Sequence, residues 1–179
     1  MKQLIILDRD GVINHDSDAY IKSPEEWLPI PGSLEAIARL HHAGWRVVVV
    51  SNQSGVGRGL FDIETLNRIH SKMHRMVHEV GGVIDAVLFC TDSDDANPYR
   101  KPNPGMLQEL ARRLRIELRG VPVVGDALRD IQAAQAVGAH PCLVLTGKGR
   151  QTFEQAGNDA LRGVPVFDDL ATVVEHLLS

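Results

Sequence analysis

Six short runs of consecutive apolar residues recur along the chain, each with turn-forming residues beside it. The runs are Leu4–Leu7, 45–50, 83–89, 121–124, 141–145 and 164–167. Because their apolar residues are consecutive rather than alternating, the runs are typical of strands buried on both faces of a parallel sheet. This pattern is the strongest constraint on the fold, since the sheet that it predicts must have both faces covered by other elements.

Helical patterns fall between these runs, over 33–42, 62–80, 103–115, 128–137 and 168–178. Ser33, Asp62 and Asn103 are predicted to cap the first three helices, with Pro104 at the first helical position of the third. Strand and helix therefore alternate along the chain. This order predicts an α/β fold, a doubly wound and mostly parallel sheet with right-handed crossovers, as a single domain over residues 1–179.

Length and composition narrow the class of protein. A chain of 179 residues with 44% hydrophobic and 23% charged residues can bury one sizeable core. A net charge of −4 and an aromatic content of only 4% argue against nucleic acid or an anionic membrane as a partner. Two cysteines cannot form a disulfide framework, and no secretory signal or membrane-length apolar run is recognised. We therefore expect a cytoplasmic protein.

Polar groups follow the apolar runs at the places where strands are predicted to end. They are Asp8-Arg9-Asp10-Gly11, Ser51-Asn52-Gln53-Ser54, and Asp126 with Asp130, joined by Arg100-Lys101 before the third helix. Ligands of open α/β sheets bind beyond the carboxyl ends of the strands. Clustered carboxylates without nearby Cys or His favour Mg²⁺, which neutralises their repulsion. Carboxylates, a divalent metal and a lysine suit phosphoryl transfer.

Simpler interpretations remain open for single features. Asp8 or Asp126 alone could be an ordinary cap of the following helix, although four such segments in this order favour one common site. The polar segment 14–31 predicts a long loop or a small hairpin over the sheet edge. Long loops often carry function, but a plain surface excursion fits this segment equally well.

Together these motifs resemble the haloacid dehalogenase (HAD) superfamily of phosphohydrolases. The resemblance rests on Asp8-x-Asp10-Gly11, Ser51-Asn52, Lys101, and Gly125-Asp126 with Asp130, which span almost the whole chain. The longer segments 8–14, 51–59 and 100–106 narrow it to the group of phosphatases that act on heptose bisphosphate or histidinol phosphate. The resemblance implies a HAD-like Rossmannoid fold and a Mg²⁺-dependent phosphoric monoester hydrolase.

The substrate implied by the resemblance is a small phosphorylated sugar. The activity would be hydrolysis of the C7 phosphate of D-glycero-D-manno-heptose 1,7-bisphosphate, on the route to the heptose of the lipopolysaccharide core. Histidinol phosphate is the alternative substrate, and a phosphosugar-binding protein on the same fold is the non-enzyme alternative. A binding protein needs neither a nucleophile nor a general acid, so the presence of Asp8 and Asp10 favours an enzyme. A monomer is expected.

The resemblance also assigns roles to residues. Asp8 would be the nucleophile that forms an aspartyl-phosphate, and Asp10 the general acid and base. Ser51 and Lys101 would hold the transferred phosphoryl group. The implied substrate contacts are Arg9, Asp16, Ser17, Asp18, Ala19, Asn52, Gln53, Ser54 and Arg100.

The implied metal is Mg²⁺, bound by the carboxylates of Asp8 and Asp126 and the main-chain carbonyl of Asp10. Asp130 would order metal-bound waters or Lys101. Many relatives also have a zinc loop of three cysteines and a histidine before the Arg-Lys pair. Residues 90–99 hold one cysteine and no histidine, so no zinc is predicted. Cys90 is expected to be a buried apolar side chain, beside a solvated acidic turn.

Two further expectations concern specificity. The spaces between the motifs are too short for a cap domain, so water exclusion falls to loops 14–31, 55–59 and 92–99. Ala127 stands where relatives often have a lysine that touches substrate, and Arg129 could compensate.

Three histidines share one face of the second predicted helix. They are His70, His74 and His78, and we interpret this face as solvated or half-buried rather than metal-binding.

Overall fold

The structure is a computed structural model that describes residues 3–179. Six parallel strands form one sheet in the order β3-β2-β1-β4-β5-β6. They are β1 Leu4–Leu7, β2 Arg46–Asn52, β3 Ala86–Cys90, β4 Pro122–Gly125, β5 His140–Val144 and β6 Val166–Phe167. The predicted doubly wound α/β fold is confirmed. β2 and β3 lie on one side of β1, and β4, β5 and β6 lie on the other, so the order of the strands reverses at β1.

Helices connect the strands. They are α1 Ser33–His42, α2 Ser54–Gly57, α3 Ile63–Glu79, α4 Gly105–Leu114, α5 Leu128–Ala136, α6 Gly149–Gln155, α7 Gly157–Ala160 and α8 Leu170–Leu178, with a 3₁₀ turn at Pro24–Glu26. Among the described residues, no inserted cap domain interrupts this order. Within the same part of the chain, each helix is too short or too polar to span a membrane.

The central strands β1, β2 and β4 are buried on both faces of the sheet, as their consecutive apolar residues predict, whereas β3 and β6 at the edges are partly exposed. Ile5 and Leu7 of β1 pack in one core with residues of α1, α3 and α8. Leu4 and Ile6 point to the opposite face and pack with residues of α4 and α5. Successive side chains of a strand alternate between faces, so both faces need apolar residues.

Helix caps show where tertiary contacts override local signals. Asp62 caps α3 as predicted, because its Oδ1 accepts a hydrogen bond from Thr65 N at 2.8 Å. The prediction for Ser33 is wrong: Gly32 precedes the helix in a left-handed conformation, and Ser33 Oγ instead donates to Val12 O at 2.8 Å. Asn103 is not a cap either, since α4 begins only at Gly105.

The segment 14–31 is a long loop that is anchored to the core rather than free on the surface. Asn14 forms isolated bridges with Asp10 and Pro29. Trp27 is fully buried, and Lys72 of α3 donates to its carbonyl oxygen at 2.8 Å. These contacts fix the end of the loop, so that its earlier part lies over the carboxyl edge of the sheet.

Candidate active site

The predicted site residues converge because three strand ends are neighbours. Asp8 and Asp10 follow β1, Ser51 lies at the end of β2, and Asp126 follows β4. Since β1 pairs with both β2 and β4, these residues share one edge of the sheet. Lys101 reaches the same place from the loop before α4. A polar cleft opens above them.

Lys101 is a buried cation between two carboxylates. Its Nζ donates to Asp130 Oδ1 at 2.6 Å, to Asp8 Oδ1 at 3.1 Å and to Val50 O at 2.8 Å. Burial opposes its charge, but Asp130 and Asp8 outweigh this and raise the pKa of Lys101 above its usual value. Lys101 is therefore a fixed positive charge on the floor of the cleft.

Three buried carboxylates form an acidic cluster at this floor. Oxygens of Asp8, Asp126 and Asp130 all lie within 4.8 Å of one another. Burial, followed by repulsion from Asp130, raises the pKa of Asp8 to about 6. Burial and the charge of Asp8 also raise the pKa of Asp126 well above its usual value. Lys101 alone does not balance the cluster, which fits a hard divalent cation with oxygen ligands.

The segment after β5 holds the carboxylate of Asp126 in place. Lys148 N donates to Asp126 Oδ2, and Thr152 Oγ1 donates to the carbonyl oxygen of Asp126, both at 2.8 Å. Gly11 and Gly147 both have positive φ, and a Cβ on either would collide with Asp126 Oδ2. Glycine is therefore required at both positions for the backbone to approach this carboxylate. The motifs recognised in the sequence do not include this segment.

Asp10 is held by three neighbouring side chains. Arg9 donates to Asp10 Oδ1 through Nε at 3.1 Å and Nη2 at 2.9 Å. Asn14 Nδ2 donates to Oδ1 and Gln53 Nε2 to Oδ2, both at 2.8 Å. Burial opposes ionisation of this carboxyl, but Arg9 and the two amides hold the pKa of Asp10 below its usual value. Asp8 and Asp10 therefore have pKa shifts of opposite sign.

The structure places the Arg9 side chain behind Asp10. The side chain is completely buried there, and its contact with a substrate stays a prediction. Ala19 is not among the residues that line the cleft, so its predicted contact stays a prediction. The predicted contacts that do line it are Asp16, Ser17, Asp18, Asn52, Gln53, Ser54 and Arg100. Ser51 is buried beneath them, with its Oγ 2.9 Å from Gln53 Nε2.

Further cations line the cleft. Arg129 is half-buried, and its Nε has no hydrogen-bond partner among residues 3–179. Burial opposes the Arg129 charge, but Asp130 and Asp8 raise the pKa of Arg129 above its usual value. Lys148 Nζ lies 3.5 Å from Asp16 and 3.7 Å from Asp18, which joins the 14–31 loop to the segment after β5. Lys148 is not among the predicted site residues, although it lies in a polar segment directly after the fifth apolar run, where a site residue could have been expected.

The prediction that three histidines of α3 lie on a solvated or half-buried face is wrong for His70. His70 is buried, with Nε2 3.1 Å from Arg9 Nη1, whereas His74 and His78 are exposed.

Cys90 is buried in the apolar core, as predicted. The acidic turn beside it is exposed, as predicted, and Asp92 accepts hydrogen bonds there from Asp94 N and Asn97 Nδ2.

Known proteins match this chain over nearly its full length. It is 56% identical to the D-glycero-β-D-manno-heptose-1,7-bisphosphate 7-phosphatase of Bordetella bronchiseptica over 177 residues, covering 98% of each chain. It is 49% identical to the phosphatase of the same name from Pseudomonas putida, covering 98% of this chain and 99% of the relative. The chain belongs to the heptose-1,7-bisphosphate 7-phosphatase family.

The HAD-hydrolase-like family model matches residues 98–173, so the predicted superfamily is confirmed as well. A crystal structure of the Bordetella bronchiseptica family member superposes on this chain with a TM-score of 0.95 at 56% identity, covering 98% of both chains. That structure is described as complexed with magnesium and phosphate.

Proposed function

We propose that the chain hydrolyses the C7 phosphate of D-glycero-D-manno-heptose 1,7-bisphosphate in a Mg²⁺-dependent reaction. The observation that carries this proposal is the match over 98% of both chains to a heptose-bisphosphate phosphatase at 56% identity. The cleft supports the same chemistry. It holds Asp8, whose pKa is raised and which accepts a hydrogen bond from the buried Lys101, and also Asp10, whose pKa is lowered. No feature of the cleft specifically favours histidinol phosphate.

The acidic cluster fits Mg²⁺, with the carboxylates of Asp8 and Asp126 as ligands together with the Asp10 carbonyl. Asp8 Oδ2 and Asp126 Oδ1 accept no hydrogen bond from the described residues, so both have free oxygens. Asp130 is already engaged by Lys101 Nζ and Ala127 N, which suits an orienting role beside the metal. The metal would neutralise the cluster and the charge that develops on the phosphoryl group.

Asp8 and Asp10 would divide the reaction into two steps. An Asp8 oxygen attacks phosphorus, the bond to the C7 oxygen breaks, and Asp10 gives that oxygen a proton. Asp10 then takes a proton from the water that attacks the aspartyl-phosphate, which releases phosphate and restores Asp8. The lowered pKa of Asp10 suits the second step, and the approaching phosphate anion favours the protonated form needed for the first.

Cations in the cleft would bind the two phosphates of the substrate. Lys101 would neutralise charge on the phosphoryl group that is transferred, and the Ser51 hydroxyl would donate a hydrogen bond to it. Arg100 and Arg129 lie on the cleft wall, where they would contact the phosphate that remains on the sugar. Arg129 is the better placed donor of the two, because Arg100 already donates to Asp95 at 2.9 Å.

Loops around the cleft would replace a cap domain in excluding water, with the 14–31 loop joined to Lys148 as one wall. Several expectations from the sequence stay predictions. They are a cytoplasmic location, a monomeric state, the absence of a nucleic-acid partner and of zinc, and a single domain over residues 1–179. The first two residues of that domain lie outside the described residues.

The proposal is tested by measuring kcat/KM for heptose 1,7-bisphosphate and histidinol phosphate side by side, with Mg²⁺ and with a chelator. We expect a clear preference for the heptose bisphosphate and loss of activity on chelation. A preference for histidinol phosphate would contradict the proposed substrate, while turnover that survives chelation would contradict the metal.

A further inference from the structure

The Arg9 guanidinium is a buried charge whose orientation is set from two sides. Its side chain has no solvent exposure. One edge donates through Nε and Nη2 to Asp10, and Nη2 also lies 3.2 Å from Gln53 Oε1. At the other edge, Nη1 lies 3.1 Å from His70 Nε2. Because a buried donor without an acceptor is costly, this second contact is required as long as Arg9 stays in place.

His70 must be the acceptor in that contact. Arg is a donor only, so Nε2 of His70 carries no proton and the imidazole is neutral. Burial, with the nearby Arg9 charge, lowers the pKa of His70 to about 3, in agreement with a neutral ring. The ring is itself confined, because its centroid lies 5.6 Å from that of Phe89 and its helix is packed on the sheet. His70 is therefore a rigid acceptor.

We propose that His70 is a positioning residue for Asp10 that acts through Arg9. By accepting from Nη1, His70 holds the guanidinium in the orientation in which its opposite edge binds the Asp10 carboxylate. His70 itself does not touch Asp10. This inference rests on the proposed role of Asp10 in proton transfer, and it assigns a function in the reaction to a histidine on a helix outside the sequence motifs.

The proposal predicts which reactions lose rate when His70 is changed. Without the acceptor, Nη1 turns toward another partner and the Asp10 carboxylate loses its alignment with the leaving oxygen. Phosphoryl transfer from a sugar phosphate needs that proton, because an alkoxide is a poor leaving group. Transfer from p-nitrophenyl phosphate does not, because nitrophenolate leaves unprotonated. A purely structural role for His70 would reduce both rates equally.

The test compares four variants in the first turnover, with heptose 1,7-bisphosphate and p-nitrophenyl phosphate as substrates. His70→Leu removes the acceptor. His70→Gln keeps an oxygen near the position of Nε2, whereas the oxygen of His70→Asn falls short of it. His74→Leu, on the exposed part of the same helix, is the matched control. Thermal unfolding of each variant identifies any that do not fold.

For His70→Leu we expect the first-turnover rate on the sugar phosphate to fall about tenfold to hundredfold, with little change in KM or in the p-nitrophenyl phosphate rate. His70→Gln should restore most of the rate and His70→Asn should not. Equal losses on both substrates, or no difference between His70→Gln and His70→Asn, would overturn the inference. If His70→Leu does not fold, the comparison of Gln with Asn decides. Wild-type chain without heptose-bisphosphatase activity would instead overturn the proposed function.

Discussion

Lys101 Nζ donates to Asp8 Oδ1 across 3.1 Å, although the two residues are 93 positions apart in the chain. The same ammonium lies 2.6 Å from Asp130, so one buried cation lies between two of the three carboxylates at the cleft floor. This relationship connects the fold to the chemistry, since the sheet order is what brings the end of β1 beside the loop that carries Lys101.

Replacing Lys101 by Met should lower kcat by about 10²–10³-fold, because a preorganised charge near the phosphoryl group is lost. Removing it also leaves Asp8 and Asp130 buried without their common cation, so the free energy of unfolding should fall. Steady-state kinetics and denaturant unfolding measure the two effects. Lys22→Met, at a half-exposed position, is the control. A Lys101→Met chain with wild-type kcat would show that this cation is dispensable.

The raised pKa of Asp8 predicts how stability depends on pH and Mg²⁺. Because burial raises this pKa from 3.8 to about 6, the metal-free folded chain binds the proton more tightly than the unfolded chain. The resulting stability is complete below the unfolded pKa and is lost as pH rises through about 6, a change of about 3 kcal/mol.

Asp8→Asn isolates this contribution. In chelator, the variant should gain stability relative to wild type as pH rises from about 4 to about 7, since its side chain does not ionise. Added Mg²⁺ should stabilise wild type most at neutral pH, where the cluster is charged. Denaturant unfolding at several pH values measures both. If the difference in stability between the two proteins does not change with pH, then burial does not raise the pKa of Asp8.

Gly147→Ala should weaken Mg²⁺ binding. The new Cβ would displace the Asp126 carboxylate oxygen, and the residue would also have to keep a positive φ. Gly138→Ala is the matched control, because Gly138 also has positive φ but has no atom near the site of a Cβ. Titration calorimetry with Mg²⁺ measures the affinity. We expect a loss for Gly147→Ala only, and equal affinities in both variants would contradict the steric account.

Arg129→Met should raise KM for heptose 1,7-bisphosphate by about tenfold to hundredfold, because a charged hydrogen bond to the second phosphate is lost. The KM for heptose 7-phosphate, which lacks that group, should change little. Arg113→Met, on an exposed face of α4, controls for loss of charge alone. A similar rise for both sugars would place Arg129 at the transferred phosphate instead.

Sequence patterns predicted the sheet and the floor of the site because both follow from local information. Consecutive apolar runs identify buried parallel strands, and residues directly after such strands gather at one edge. Asp8, Asp10, Ser51 and Asp126 could thus be selected without knowing any contact. Asp62 could be predicted as a cap for the same reason, since its partner, Thr65 N, is three residues away.

What escaped prediction depends on partners distant in sequence. The sequence predicts Ser33 as a helix cap, but its hydroxyl donates to Val12 O instead. The contacts of the Arg9 guanidinium with His70 and Gln53 also join residues that are far apart in the chain. Lys148 belongs to no motif, because its importance arises only where β5 ends beside Asp126. Hydrogen bonds between distant segments override what propensity and spacing indicate.

Asp8 would carry the phosphoryl group during turnover. The most direct measurement quenches a single turnover of heptose 1,7-bisphosphate labelled in its C7 phosphate, using Asp10→Asn to slow hydrolysis of the intermediate. We expect label bound to the protein, on the peptide that contains Asp8, and none with Asp8→Asn. Turnover that leaves no label on the protein, or label on another residue, would show that Asp8 is not the nucleophile.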